Sequence, residues 1–141
     1  HDQDEAFAVA DRVAVLIDGR IARIGTPSDV WRSPASPAVA TFVGYAPMLT
    51  ADQARDLGWP LDRPLDRELV AVGPDGLVPT ADSRGVAVPV REQIDRRGYV
   101  AIRVTLPHGE SAWVKAADRV VEPLLRVALD PARCAVVAAA A

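Results

Sequence analysis

Few residues in this 141-residue chain have the type and spacing to do chemistry. The first is His1, which opens the run His1-Asp2-Gln3-Asp4-Glu5, an imidazole beside three carboxylates. Asp2, Asp4 and Glu5 have the hard oxygens of a calcium or magnesium ligand set. Carboxylates in a first helical turn also oppose the positive end of the helix dipole, and Asp2 with Glu5 has the spacing of a capping box. The run is read as cap chemistry, and no metal site is assigned. His108 and Ser111, with Asp118 or Asp130, offer the types of a base, a nucleophile and an orienting acid. Pro107-His108-Gly109-Glu110 is a turn sequence, so His108 is expected at a solvent-facing hairpin tip and not in a catalytic cleft. The lone Cys134 rules out an intrachain disulfide and any cysteine-built zinc site, and reads as a small apolar residue on a late strand.

Nucleotide chemistry would need a Gly-x4-Gly-Lys-Ser/Thr loop, whose backbone N–H groups wrap around phosphate. The chain has one lysine, Lys115, between Val114 and Ala116, and no two adjacent glycines. No nucleotide is therefore expected to bind this stretch on its own. Trp31, Trp59 and Trp113 are not interleaved with a basic stripe, so they are read as packing residues and not as platforms for base stacking.

Half the residues are apolar and a quarter charged, the balance of a chain that can bury a core. A formal net charge of −3 and a pI near 5.3 give no general attraction to polyphosphate, which argues against nucleic acid as a partner. No apolar run approaches the roughly 20 residues that span a bilayer, and no basic-then-apolar leader precedes the first element, so a cytosolic setting is expected.

The elements that would position these residues fall into two groups. Asp18-Gly19 is a two-residue turn that tolerates positive φ, so Arg12 to Ile17 and Arg20 to Gly25 should pair as a hairpin. Simple alternation puts Val13, Val15 and Ile17 on one face with Ala22 and Ile24, and Leu16 and Ile21 on the other. Both faces are partly apolar, and the hairpin expects a cover. Thr26-Pro27 and Ser36-Pro37 each supply an N-cap followed by a proline at the first helical position, predicting short helices that end near Arg32 and at Gly44. Residues 45–64 are proline-rich and form a junction with one helix, Ala51 to Leu57, between Thr50 and Gly58.

Beyond the junction the apolar period becomes two. Strands are predicted at Glu68 to Val72, Val86 to Ile94, Tyr99 to Leu106, Ser111 to Lys115, Leu124 to Leu129 and Arg133 to Ala138. Short antiparallel strands at this spacing suggest a closed or partly open barrel, because closure removes exposed sheet edges.

The segments His1 to Phe7, Ala10-Asp11-Arg12, Asp18-Gly19-Arg20-Ile21, Gly25-Thr26-Pro27 and Phe42-Val43-Gly44 resemble, in order and spacing, the end of the nucleotide-binding domain of ABC importer ATPases. Residues 85–138 resemble the transport-associated, oligonucleotide-binding-like (OB-like) regulatory barrel that follows that domain, and Leu69 to Gly76 resembles the segment leading into it. The family usually has arginine where this sequence has Gly73, so no oxyanion contact is inherited there. The resemblance implies a mainly β fold: an OB-like antiparallel barrel preceded by an α/β remnant of a P-loop ATPase domain. It divides the chain into the end of the nucleotide-binding domain (1–44), a junction (45–64) and the regulatory domain (65–141).

By the same resemblance His1 is the switch histidine of the H-loop, catalytic only in the parent subunit, whose Walker and signature motifs would lie upstream. The fragment is then no enzyme and holds no cofactor, whereas the parent uses Mg-ATP to drive solute uptake, with ferric iron favoured among possible cargoes. The implied partners are a second copy of the ATPase subunit and transmembrane permease subunits, which would hold it on the inner face of the membrane. An alternative reading is an oxyanion- or small-ligand-binding OB-like module.

Overall fold

The computed structural model describes residues 8–60, 62 and 64–139. His1 and the acidic helix start at Asp2, Asp4 and Glu5 lie outside the described residues.

The first hairpin pairs β1 (Val13–Ile17) with β2 (Arg20–Gly25) through a turn in which Asp18 and Gly19 have φ of 52° and 76°, the positive values this tight turn requires. Its faces differ from simple alternation. Leu16 opposes Ile21, but Val15 opposes Arg23, so Ala22 is the extra residue of a β-bulge. The bulge moves Ile24 to the face of Leu16 and Ile21, and all three stand exposed. Val13, Val15 and Ile17 face inward instead.

Two short helices follow, α1 (Pro27–Arg32) and α2 (Pro37–Phe42). Thr26 caps the first by accepting the Asp29 N–H at 3.1 Å, and Ser36 caps the second by accepting that of Val39 at 3.2 Å. Gly44, at φ 104°, ends the second as the sequence predicts. Val30, Val39, Ala40 and Val43 from these helices meet Val15 of the hairpin in one apolar cluster.

The predicted junction is itself structured. Met48–Leu49 forms a two-residue strand, β3, and α3 (Ala51–Asp56) has a full capping box between Thr50 and Gln53. Leu49, Ala54, Leu57 and Trp59 are buried in the barrel core, and the Leu129 N–H donates to the Leu57 carbonyl at 2.9 Å. This helix plugs one end of the barrel.

The remaining strands are β4 (Glu68–Val72), β5 (Leu77–Pro79), β6 (Val86–Arg96), β7 (Tyr99–Thr105), β8 (Ser111–Ala116), β9 (Leu124–Leu129) and β10 (Cys134–Ala138). One sheet runs β10-β4-β3 and the other β5-β9-β6-β7-β8, all antiparallel. The long β6 belongs to two pairings: Val86 to Pro89 ladder with β9, and Val90 to Arg96 with β7, with a register shift between Val90 and Glu92. That irregularity turns the corner, and β5 returns alongside β8, so the structure is a nearly closed antiparallel barrel of OB-like type. The fold is mainly β, as expected. Two details differ. Strands β3 and β5 are too short to show alternation, and β10 starts one residue late because Asp130 caps a 3-10 turn over Pro131–Arg133.

The two groups of elements share a wall. In β4, Val70 and Val72 face the barrel core while Ala71 faces the helices, and Ala135 and Val137 of β10 join it there. Beyond β4 the backbones approach closely. The Gly73 N–H donates to the Arg133 carbonyl at 3.1 Å, and a Cβ at Gly73 would lie 2.2 Å from that oxygen. Gly73→Ala is expected to push the 130–133 turn away from β4 and cost about 3 kcal/mol, lowering the unfolding midpoint by on the order of 10 °C. Thermal melts followed by circular dichroism test this; a midpoint within about 2 °C of the parent's would show that the turn yields at little cost.

Candidate functional site

The Ser-His pairing available in the sequence does not form. His108 does sit at the exposed tip of the β7–β8 hairpin, but its Nε2 lies 2.8 Å from Oδ2 of Asp56, at the end of α3. Beside it the Gln53 amide donates to Oε1 of Glu110 at 2.8 Å. Ser111 is exposed, and Asp130 is occupied in capping the 3-10 turn through the Ala132 N–H at 3.1 Å. The tip is thus latched to α3 by a hydrogen bond between side chains 41% and 53% exposed, where water competes for both partners. It holds structure and presents no nucleophile.

The concave surface lies elsewhere, around the turn Gly73-Pro74-Asp75-Gly76. A cleft of about 470 Å³ opens between the end of α1 and this turn. Trp31 and Arg32 form one wall, Asp75, Ala132 and Arg133 the other, with Tyr45 and Cys134 also lining it. Helix α1 positions Trp31 because its neighbour Val30 is buried in the helix cluster, which leaves the following residues at the rim. The 3-10 turn that delays β10 presents Ala132 and Arg133.

Tyr45 joins the two walls. Its hydroxyl donates to the Trp31 carbonyl at 2.7 Å, and the two ring centroids are 5.4 Å apart at an interplanar angle of 42°. Burial raises the Tyr45 pKa, and the neighbouring Cys134 adds to the rise. Burial also pushes the Cys134 thiol up to about 11, and its Sγ lies 3.7 Å from the Gly76 carbonyl. At neutral pH that thiol stays protonated and is a poor nucleophile, as its reading as a small apolar residue implies. Next to the cleft, Lys115 Nζ lies 3.0 Å from Oδ1 of Asp75 and 5.0 Å from the centre of the Tyr99 ring. The Asp75 carboxylate raises the Lys115 pKa by hydrogen bonding and by charge.

Sequence reasoning located the Pro74-Asp75-Gly76 turn but not the cleft it helps to form, because Arg32 and Arg133 are far apart along the chain. It read the three tryptophans as packing residues without saying which are enclosed. Trp59 is buried, whereas Trp31 and Trp113 are 38% and 46% exposed, since they stand on outward faces of α1 and β8. Gly73 is explained by geometry: the approach of the Arg133 carbonyl excludes any side chain, including the arginine usual at that place in the resembled family.

Among the described residues, no group of three or more His, Cys, Asp or Glu side chains could hold a metal ion, and no helix is long and apolar enough to cross a membrane. His1 lies outside the described residues, so its surroundings add nothing to its assignment.

No family model matches the chain. Among curated proteins it is 38% identical over 143 residues, 94% of its own length, to the Fe(3+) ions import ATP-binding protein of Streptomyces coelicolor. It is 37% identical over 144 residues, 89% of its length, to the sulfate/thiosulfate import ATP-binding protein of Bordetella parapertussis. Over 93 residues, 66% of its length, it is 40% identical to the spermidine/putrescine import ATP-binding protein of Nitratidesulfovibrio vulgaris. The chain spans 41%, 38% and 21% of the lengths of these relatives. With the OB-like barrel and the α/β remnant that precedes it, these similarities establish that the chain belongs to the ATP-binding subunits of ABC-type importers and corresponds to their C-terminal part.

Proposed function

We propose that this chain is the regulatory C-terminal part of a subunit that couples ATP hydrolysis to solute uptake. The observation that carries the reading is a similarity to an importer ATP-binding protein extending over 94% of the chain, across both the remnant and the barrel. Residues 1–44 are read as the end of the nucleotide-binding domain, 45–64 as the junction and 65–141 as the regulatory domain. The wall formed by β4 and β10 supports a mechanical role for the barrel, because it buries apolar side chains toward both parts at once. The subunit would pair with a second copy and dock on transmembrane permease subunits at the inner face of the membrane. Ferric iron is put forward as cargo because the Fe(3+) import relative covers more of the chain than the sulfate/thiosulfate or polyamine relatives.

The chain by itself is read as non-catalytic, since the phosphate-cradling loop and the signature glycines are absent from its sequence. Calorimetric titration of the 141-residue chain with Mg-ATP is expected to show no site tighter than about 100 μM. A micromolar isotherm would overturn the non-catalytic reading.

His1 is proposed as the switch histidine of the complete subunit. An imidazole there would hydrogen-bond the γ-phosphate and help to hold the attacking water, where charge spreads over the phosphoryl oxygens in the transition state. Its contact is with the group transferred, not with the adenine or the inner phosphates. His1→Ala in the complete subunit is therefore expected to leave ATP affinity unchanged and to lower hydrolysis on the order of a hundred- to a thousandfold. Hydrolysis reduced less than about threefold, with affinity lost, would assign His1 to ground-state binding instead.

A further inference from the structure

The cleft between α1 and the barrel has a lining suited to a ligand. Its volume of about 470 Å³ lies within the roughly 300–1,000 Å³ of pockets that bury small organic molecules. Two arginines are among the residues that line it, Arg32 and Arg133. Among the described residues Arg32 has no ion pair, and Arg133 has only a long one, its Nε 3.6 Å from Oδ2 of Asp130. Asp75 is the one carboxylate of the lining, and its charge is engaged by Lys115 at 3.0 Å. The Tyr45 hydroxyl donates its one proton to the Trp31 carbonyl, which leaves the two arginines as the charged donors of the lining. The lining is thus locally cationic in a chain whose formal net charge is −3.

The half-exposed indole of Trp31 lies beside these charges. Guanidinium groups bind carboxylate or phosphate through paired N–H donors, and an indole offers a flat apolar surface to a ring. We propose that this cleft binds a small organic anion, a planar ring against Trp31 with its carboxylate or phosphate held by Arg32 and Arg133. Such a ligand touches the end of α1 and two turns of the barrel together. The site does not depend on the function proposed above, because every residue in it is described in this chain.

Phenyl phosphate, titrated into the full 141-residue chain and followed by calorimetry and by the tryptophan indole resonances, tests the site. The expected result is saturable binding with a Kd below about 1 mM, relieved by inorganic phosphate, with the Trp31 signal moving more than those of Trp59 and Trp113. Arg32→Gln and Arg133→Gln should each weaken binding about tenfold. Arg96→Gln, in the adjoining depression beside Tyr99 and Trp113 and outside the lining of the cleft, should leave it unchanged. Ala132→Glu adds a carboxylate to the lining without altering either arginine and should abolish binding. This variant keeps the test decisive if an arginine variant fails to fold. No saturable binding, or equal loss in Arg96→Gln, or binding that survives Ala132→Glu, would overturn the proposal.

Discussion

Strand β4 is buried on both faces, and the rest of the structure is arranged around that fact. Val70 and Val72 point into the barrel, where they meet Leu77, Val104 and Val127. Ala71, between them, points the other way and lies against Val39, Ala40 and Tyr45. A strand with water on one face reads as alternating apolar and polar; a strand covered on both reads as a continuous apolar run, which is how Leu69-Val70-Ala71-Val72 reads. Its partner strand repeats the arrangement, with Ala135 and Val137 toward the helices and Cys134 and Val136 toward the barrel.

Two interactions fix the end of this wall, one toward the helices and one within the barrel. Tyr45 is buried, stacks near Trp31 and spends its hydroxyl on the Trp31 backbone, so the aromatic ring bridges α1 and the β4 side of the barrel. Gly73 brings the end of β4 against the Arg133 carbonyl, which fixes the 3-10 turn and hence the direction in which β10 sets out. The cleft exists because these contacts join the two parts at the wall and leave the rim beside them unfilled. It is the space between two walls, and that is why its lining draws on residues from both halves of the chain.

The latch of His108 to Asp56 shows how a pattern of residue types can mislead. A histidine three residues from a serine satisfies the composition of a catalytic pair. On a hairpin tip, though, side chains are directed by what the tip packs against, and here that is α3. The first hairpin teaches the same lesson about register. One extra residue, Ala22, moved Ile24 from the inner face to the outer and gathered Leu16, Ile21 and Ile24 on a single exposed apolar surface. Nothing in the local sequence marks Ala22 as a bulge, because alanine fits either position.

What the sequence determined alone was local. The capping residues Thr26, Ser36 and Thr50, the Asp18-Gly19 turn and the period-two runs of β6, β7 and β9 each carry their structure within a few residues, since cap hydrogen bonds, positive φ and alternation are short-range requirements. The resemblance of the motifs between His1 and Gly44, in one register, indicated the family. Tertiary structure decided what depends on distant partners. Strands β3 and β5, of two and three residues, exist only because β4 and β9 offer them a ladder. The cleft joins Trp31 and Arg32 to Asp75 and Arg133, which no spacing rule connects. The fate of the tryptophans followed from which face of each element found a neighbour: Trp59 was enclosed by the barrel core, whereas Trp31 and Trp113 stood on faces that the packing left open.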